Sequence, residues 1–246
     1  MLLFRDPYFD GYVADTDSLR ERTYRLRYQV YCIERGFEPT DQPNPGQERD
    51  RYDAHSMHFL LHHRERGVDV GTTRLVLGEA PGKLPFFRIA GHCLTKPDLP
   101  ACPPSAEVSR LAISKACRRR HADRNLLYGA GTDPERLPDH ATPGHPGVVI
   151  ALYRCLYAYS KADGIADWYM MMEPALARLL GQVGVVPEPL GPAVHYRGLR
   201  VPYRINVQGF IDQIRRHRPD VASYIDDDAH GVVRAAALGY APAPAP

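Results

Sequence analysis

The stretch "AEVSRLAIS", residues 106–114, places an acid and an arginine, Glu107 and Arg110, in a run whose other residues are typical of a β-strand. Charged side chains are costly inside a sheet unless a partner or a function compensates for their burial. On a regular strand these two side chains would point to opposite faces, because side chains alternate with a period of two. If both serve one site, we expect a β-bulge at residues 108–110, which would also turn a backbone N–H towards that site.

Other charged residues fall in segments predicted to be ordered. Arg27 lies in the first predicted helix, and Arg74 lies in a predicted β-hairpin over residues 57–77. The polar, proline-rich segment 39–50 is predicted to be an exposed loop, which Asp50 ends and Asp53 follows. An arginine fork binds a carboxylate through two parallel hydrogen bonds and stays protonated when it is buried. These residues therefore predict either one mutually neutralising cluster or a set of separate solvated charges.

The rest of the chain predicts alternating helices and strands. The expected elements are a helix at 147–163, a strand at 165–173, a short helix at 175–184, a hairpin that turns near Arg197 and Gly198, and an amphipathic helix from residue 209. Together they predict an α/β (α+β) fold in a single domain over residues 1–234. The Ala/Pro-rich end, residues 235–246, is expected to be disordered.

Composition excludes several classes of protein. The chain has 246 residues, with 31 basic against 29 acidic side chains, so we expect no nucleic-acid binding. Five cysteines without a CxxC pair do not indicate a disulfide framework, and no apolar run is long enough to span a membrane. His58 and His62 lie too far apart on a strand to share a metal ion. We expect a cytoplasmic protein without a metal.

Several short motifs resemble the acyl-homoserine-lactone (autoinducer) synthases, which have a GNAT-type acyltransferase fold. The motifs are RYQVY at 27–31, Phe37, DRYD at 50–53, GTTRL at 71–75 and EVSRL at 107–111, and they cover roughly the first half of the chain. The longer runs RYQVYCIERGFE, ERDRYDAHSMHFLL and EVSRLAISK resemble the PEP-CTERM/exosortase-associated N-acyltransferases, which are similar to long-chain N-acyl amino acid synthases. The resemblance implies a mostly antiparallel central sheet, flanked by helices, whose fourth and fifth strands splay apart.

The resemblance also implies site residues. Glu107 and Arg110 would be the catalytic pair, with Glu107 accepting the proton of the attacking amine directly or through water. The predicted substrate-binding residues from the family motifs are Arg27, Tyr31, Phe37, Asp50, Asp53 and Arg74. Arg74 and Arg110 are candidates to hold an acceptor carboxylate, unless Asp50, Asp53 and Glu107 saturate them.

Phe37 departs from the autoinducer synthases, which carry a tryptophan at this position. In that family the tryptophan helps to frame the S-adenosylmethionine pocket. The substitution therefore argues against S-adenosylmethionine as the acceptor.

The acyl donor is predicted from a basic cluster. CoA-using GNAT enzymes carry a glycine-rich loop after the fourth strand that binds pyrophosphate, and here no glycine follows at that spacing. Four arginines stand there instead, Arg118, Arg119, Arg120 and Arg124. They predict a docking surface for an acyl carrier protein, although a solvated helix end is an equally simple interpretation and CoA remains an alternative donor.

An acyl chain needs an apolar slot, and the strand IADWYMMME at 165–173 is the candidate wall. Trp168, Met170 and Met172 are predicted to bind the chain, because methionine suits a flexible tunnel. Met171 is expected on the opposite face, so that the three methionines do not all line one slot. The alternative is that this strand belongs to the core.

These observations predict an N-acyltransferase that moves a long-chain fatty acyl group from acyl carrier protein to the amine of an amino acid. We expect no tightly bound cofactor, with acyl carrier protein and a small amine as partners. One alternative is a homoserine-lactone synthase that uses S-adenosylmethionine. Another is a non-catalytic module that binds acyl carrier protein or nucleic acid.

Overall fold

The computed structural model describes residues 1–78, 83–95, 104–115 and 147–227. In chain order the elements are β1 Leu2–Arg5, β2 Phe9–Val13, α1 Asp17–Tyr28, a π-helical segment Gln29–Glu34, a 3-10 turn Asp53–His55, β3 Ser56–His63, β4 Val68–Leu77, α2 Pro85–Ala90, a 3-10 turn Gly91–Cys93, β5 Ser105–Ile113, α3 Val148–Asp163, β6 Asp167–Met172, α4 Pro174–Gly181, β7 Glu188–Pro189, β8 Val194–His195, β9 Leu199–Asn206, α5 Val207–His217 and α6 Pro219–Ile225.

The strands of the described residues join into one mixed sheet. Its order is β1-β2-β3-β4-β5-β6-β9-β7, with β8 also pairing β9. Every pair is antiparallel except β5 with β6, which is parallel. The predicted α/β fold with a mostly antiparallel sheet is therefore confirmed, while the β1–β2 hairpin and the helices α2 and α6 were not predicted.

Strands β5 and β6 separate soon after they begin. They pair only over Ser105–Glu107 and Asp167–Tyr169, although β5 continues to Ile113 and β6 to Met172. Beyond the last pair the two strands no longer bond to each other, and a gap opens through the sheet. This is the predicted splay between the fourth and fifth strands of the family fold.

A bulge interrupts β5 at the start of this gap. In the β4–β5 register Arg74 pairs with Ser109 and Thr72 pairs with Ala112, so two residues of β5 oppose one residue of β4. Arg110 lies in this bulge with a φ of 51°, a left-handed conformation that is uncommon for a residue with a side chain. The predicted bulge is confirmed, and it lies at residues 110–111, at the end of the predicted range 108–110.

The first helix changes its geometry before it ends. Helix α1 begins after Thr16, whose hydroxyl accepts a hydrogen bond from the Leu19 N–H at 3.3 Å. From Gln29 to Glu34 the chain is π-helical, and a π-helix is rare and often marks a functional site. The wider turn carries Tyr31, one of the predicted site residues.

The main core lies between the sheet and helix α3. Trp168 is fully buried in it, its ring 5.2 Å from Phe210 and 6.0 Å from Tyr153. Its indole N–H donates to the Ser160 hydroxyl at 2.9 Å. The structure thus places Trp168 in the core and not in an acyl slot, because helix α5 covers the part of β6 that carries it.

Among the described residues, no helix has the length and apolar character needed to cross a bilayer.

Candidate active site

A cavity of about 400 Å³ occupies the gap between the splayed strands. One wall is apolar and is built by β5, α3, β6 and α4. Its residues include Val108, Ile113, Val149, Met170, Leu176 and Leu179. The opposite wall is polar or aromatic and includes Tyr31, Phe37, Glu38, Arg110, Arg197 and Arg200. We call these two walls the apolar half and the polar half.

The two halves lie on opposite faces of the sheet. Val108 and Met170 belong to the main core under α3, whereas Ala112 packs with Leu26 and Val30 on the side of helix α1. Because side chains alternate along a strand, β5 turns Val108 to the face under α3 and turns its charged residues, together with Ala112, to the face of helix α1. The gap between β5 and β6 joins the two faces, so one cavity offers an apolar slot and a polar chamber.

Glu107 lies where the two halves meet, at the last residue of β5 that pairs with β6. Its side chain is almost fully buried, and its Oε2 accepts a hydrogen bond from the Phe86 backbone N–H at 2.5 Å. Burial raises the pKa of Glu107 to about 7, against the opposing attraction of the Arg74 and Arg110 guanidinium groups. Glu107 therefore exchanges its proton near neutral pH, as a general base requires.

Arg27 lies beneath the polar half in a buried ion network and is fully inaccessible. Its Nε donates to Glu48 at 2.5 Å and its Nη1 donates to Asp53 at 2.7 Å. Glu48 was not predicted, because the polar segment 39–50 has the composition of an exposed loop. The structure corrects this expectation for Glu48, which is 2% exposed and bridges Arg27 to Arg110.

The other two arginines complete the network. Arg74 Nη1 donates to Asp50 at 2.7 Å and to Asp53 at 2.5 Å. Arg110 contacts Glu48 at 3.1 Å and Asp50 at 2.9 Å. The guanidinium groups hold the pKa values of Glu48, Asp50 and Asp53 below their usual range even though burial opposes this. These carboxylates remain ionised and occupy the arginine forks.

This arrangement indicates that nearby carboxylates saturate Arg74 and Arg110, which leaves neither arginine free to hold the acceptor carboxylate. Arg74 is only 2% exposed and donates its Nε to the Ser109 hydroxyl at 3.1 Å, so its fork does not face the cavity. Arg110 does line the cavity, but its fork already binds carboxylates. The saturating acids are Asp50, Asp53 and Glu48, rather than Glu107.

Tyr31 and Phe37 stand together at the polar half. The Tyr31 hydroxyl donates to the Leu111 carbonyl at 2.9 Å, which ties the π-helical segment to the bulge. The Phe37 N–H donates to the Tyr31 carbonyl at 2.8 Å. The guanidinium carbons of Arg35 and Arg200 lie 5.8 Å and 5.7 Å from the Phe37 ring centre, within cation–π range.

The three methionines of β6 all contribute to the cavity, which corrects the expectation that they do not share one slot. Met170 and Met172 do lie with the main core, and Met171 packs on the other face beside Tyr169 and Leu190, as alternation requires. The opening passes through the plane of the sheet, however, so it is bordered by side chains from both faces.

The remaining predicted site residues, Arg118, Arg119, Arg120 and Arg124, lie outside the described residues. Within the described ranges, no group of His, Cys, Asp and Glu side chains is arranged to hold a metal ion. His58 instead faces the ion network at Asp53, and burial lowers its pKa to about 4.

A family model described as an acetyltransferase (GNAT) domain matches residues 26–128. The chain is also similar to the solved structure of MesI, a CoA-dependent acyl-homoserine lactone synthase, at 22% identity over 81% of this chain and 87% of that chain, with a TM-score of 0.53. FeeM, an N-acyl amino acid synthase from uncultured soil microbes, matches at 15% identity over 83% and 93% of the two chains, with a TM-score of 0.53.

A third similar structure is BjaI, a CoA-dependent acyl-homoserine lactone synthase solved with SAM and isopentyl-CoA. It matches at 18% identity over 87% of this chain and 96% of that chain, with a TM-score of 0.55. At these identities the solved structures bear on the fold, and the family model bears on the class of enzyme. Together they confirm the predicted GNAT-like fold and the prediction of an acyltransferase.

Proposed function

We propose that this protein is an N-acyltransferase that moves a fatty acyl group from an acyl carrier protein thioester to the amine of an amino acid. The observation that carries the proposal is the position of Glu107, a buried carboxyl with a pKa of about 7 where the apolar and polar halves of the cavity meet. A fatty acyl chain in the apolar half would place its carbonyl at this junction. The amine would approach from the polar half.

The reaction needs a base and an oxyanion site. The neutral amine attacks the thioester carbon, a C–N bond forms, and the Glu107 carboxylate accepts a proton from the nitrogen. The intermediate then collapses, the C–S bond breaks, and the leaving thiolate takes the proton back from Glu107 to give the thiol and the free carboxylate. A bulge leaves one residue outside the ladder, so a backbone N–H at Arg110 or Leu111 is our candidate to stabilise the oxyanion.

An α-amino acid also brings a carboxylate, and Arg35 is the candidate to bind it. The forks of Arg74 and Arg110 are occupied by acids, whereas Arg35 lines the polar half, is exposed, and forms no ion pair with another described residue. Its guanidinium carbon lies 5.8 Å from the Phe37 ring centre, a cation–π contact that leaves the hydrogen bonds of the fork available. This replaces the acceptor role expected for Arg74 and Arg110.

Two acyl donors are considered, acyl carrier protein and CoA. The arginines at 118–120 and 124 support acyl carrier protein through charge complementarity. MesI and BjaI are CoA-dependent, which keeps acyl-CoA as the alternative donor. The PEP-CTERM/exosortase association, a cytoplasmic location and a single domain over residues 1–234 belong to the same proposal and rest on the sequence.

A second candidate function is a homoserine-lactone synthase that uses S-adenosylmethionine. It is favoured by the similarity to BjaI, which was solved with SAM, and by the aromatic pair Tyr31 and Phe37 at the polar half. The phenylalanine in place of the family's tryptophan argues against it. FeeM, an N-acyl amino acid synthase with the same fold, supports the first candidate.

The experiment offers the purified protein a palmitoyl group on acyl carrier protein or on CoA, together with mixed amino acids and S-adenosylmethionine. Mass spectrometry identifies the products. An N-acyl amino acid formed only from the carrier-protein donor supports the proposal and names the acceptor. A lactone would replace it with the second candidate, and no product from either donor would favour a non-catalytic binding module.

A further inference from the structure

A second cavity, of about 470 Å³, lies outside the candidate active site. It is bounded by the first turns of α1, by the chain just before α1 and by the segment that leads into β3, and we call it the α1 groove. Among the described residues, none lines both this groove and the catalytic cavity. The residues that line the α1 groove include Ala14, Arg20, Tyr24, Arg49, Asp53 and Met57.

The α1 groove contains a hydroxyl group without a hydrogen-bond partner. Tyr24 lines the groove and is only 6% exposed, and its hydroxyl forms no hydrogen bond with another described residue. The Tyr24 ring is held on two sides, because the His58 ring lies 5.3 Å from its centre at an interplanar angle of 84°, and the Arg49 guanidinium carbon lies 4.4 Å from its centre. A buried hydroxyl that faces a cavity without a partner calls for an explanation.

Arg49 is the second group of the α1 groove that lacks a partner. Its Nε donates to Gln47 Oε1 at 2.8 Å and its Nη2 donates to the same oxygen, but it forms no ion pair with another described residue. The other charged residues of the groove each have a countercharge, in the pairs Arg20–Asp17, Asp15–Met1 amino group, Asp50–Arg74 and Asp53–Arg27. The charge left unpaired in this groove is therefore positive.

The surroundings of the Tyr24 hydroxyl favour an anion. Burial raises the pKa of Tyr24, and the nearby charge of Asp53 adds to the increase, so the hydroxyl keeps its proton and remains a donor. Three guanidinium groups act in the opposite direction, those of Arg27, Arg49 and Arg20. A protonated hydroxyl that lies among several guanidinium groups can donate to a negatively charged oxygen.

We propose that the α1 groove binds a small organic carboxylate, whose oxygens accept hydrogen bonds from the Tyr24 hydroxyl and the Arg49 guanidinium. A monovalent carboxylate matches one unpaired guanidinium, whereas a phosphate would bring more negative charge close to Asp50 and Asp53. The carbon body of the ligand would contact the apolar side chains that line the same groove, Ala14, Ala54 and Met57.

The test measures the dissociation constants of butyrate, butyramide and inorganic phosphate by ligand-observed NMR. Butyramide has nearly the shape of butyrate but carries no charge. Tyr24→Phe removes only the hydroxyl, and its matched control is Tyr28→Phe, one turn further along α1, where the hydroxyl is exposed. Arg49→Gln removes the unpaired charge. Its matched control is Arg51→Gln, because Arg51 also lies over a tyrosine ring, that of Tyr52 at 4.9 Å, but does not line the groove.

In the wild type we expect butyrate to bind more tightly than butyramide or phosphate. Tyr24→Phe and Arg49→Gln should each weaken butyrate binding by about tenfold, because each removes a hydrogen bond to a charged group. The two control variants should leave the affinity unchanged. The inference would be overturned if butyrate did not bind, if butyramide or phosphate bound as tightly, or if the controls lost as much affinity as the groove variants.

A further variant identifies which cavity holds the anion. Arg35→Gln removes the guanidinium of the polar half that forms no ion pair with another described residue, and we expect it to leave the affinity for butyrate unchanged. A loss as large as that in Arg49→Gln would place the anion in the catalytic cavity and overturn the inference. These measurements use no acyl donor and no amine, so their outcome does not depend on the proposed function.

Discussion

Glu107 differs from the other acids around it in the direction of its pKa shift. Glu48, Asp50 and Asp53 contact guanidinium groups directly, and their pKa values fall. Glu107 accepts its hydrogen bond from a backbone N–H and feels the arginines less strongly than its own burial, so its pKa rises to about 7. Environment therefore separates one carboxyl suited to proton transfer from three that hold the structure together.

The raised pKa predicts how Glu107 affects stability. A carboxyl whose pKa is higher in the folded state than its usual value of 4.5 stabilises the fold below about pH 4.5 and loses this contribution as the pH rises through about 7. Glu107→Gln removes the ionisable group and keeps an acceptor for the Phe86 N–H. Above pH 8 it should raise the free energy of unfolding by roughly 3 kcal/mol, as a shift of this size implies.

Urea unfolding of the wild type and Glu107→Gln at pH 5 and pH 8.5 measures this. The gain in the variant should be large at pH 8.5 and small at pH 5. A gain that does not depend on pH would show that the Glu107 carboxyl is not held in its protonated form by burial.

Arg27 makes the opposite prediction, because it is a fully buried charge with two buried partners. Arg27→Ala leaves Glu48 and Asp53 without their main countercharge and should lower the free energy of unfolding by about 3–5 kcal/mol. Arg25→Ala is the matched control on the same helix, since Arg25 is 65% exposed and, among the described residues, pairs only with Glu21. It should cost about 0.5 kcal/mol. If urea unfolding shows equal losses of unfolding free energy in the two variants, the ion network does not stabilise the fold.

At the scale of elements, the π-helical segment and the bulge of β5 act as one unit. The Tyr31 hydroxyl is the direct link between them, through its hydrogen bond to the Leu111 carbonyl. Neither element has regular geometry, and each places a residue, Tyr31 or Arg110, against the cavity. Irregular backbone at a cavity is expected where function requires a fixed position.

Removing this link should affect catalysis more than stability. Tyr31→Phe should lower the free energy of unfolding by about 1 kcal/mol and reduce kcat roughly tenfold, because the bulge would lose its anchor. Tyr28→Phe is the control on the same helix, since its exposed hydroxyl donates to the Thr40 carbonyl at 3.1 Å. Steady-state kinetics with saturating donor compare the two. A kcat for Tyr31→Phe equal to that of the control would contradict the anchoring role.

The sequence indicates these elements to different degrees. Helices α3, α4 and α5 and strands β6, β8 and β9 follow from hydrophobic periodicity, and the bulge follows from two charged side chains that a regular strand would separate. The burial of Glu48 in the ion network is not predictable from the sequence, because a polar loop gives no sign of which of its side chains packs into a buried network. The prediction that Trp168 lines the acyl slot is wrong for a related reason. Alternation assigns a residue to a face of the sheet but does not say which helix covers that face.

At the scale of the whole molecule, the sheet divides the chemistry between its two faces. Helix α3 covers the face that builds the apolar half, and helix α1 with its π-helical continuation covers the face that carries the ion network. Because the net charge is only +2, attraction to an acidic partner has to come from a local cluster of basic side chains. A cluster of this kind at residues 118–124 is the proposed approach of the acyl donor.

Charge reversal tests that approach. Arg118→Glu together with Arg119→Glu should raise the KM for palmitoyl carrier protein at least tenfold at low salt and leave the KM for palmitoyl-CoA within about twofold. The charge-matched control reverses Arg215 and Arg216, a second basic pair near the end of α5. Equal effects on both donors, or an equal effect of the control, would contradict carrier-protein docking.

The proposed function depends most on the transfer of a proton from the attacking amine to Glu107. Its most direct test is the single-turnover rate of acyl transfer from pH 5 to pH 9 for the wild type and Glu107→Gln. The wild-type rate should rise with an apparent pKa near 7, because the protonated carboxyl below that pH cannot accept a proton. Glu107→Gln should lose this inflection and transfer about 10²–10⁴ times more slowly. An unchanged rate and an unchanged inflection in the variant would contradict the assignment.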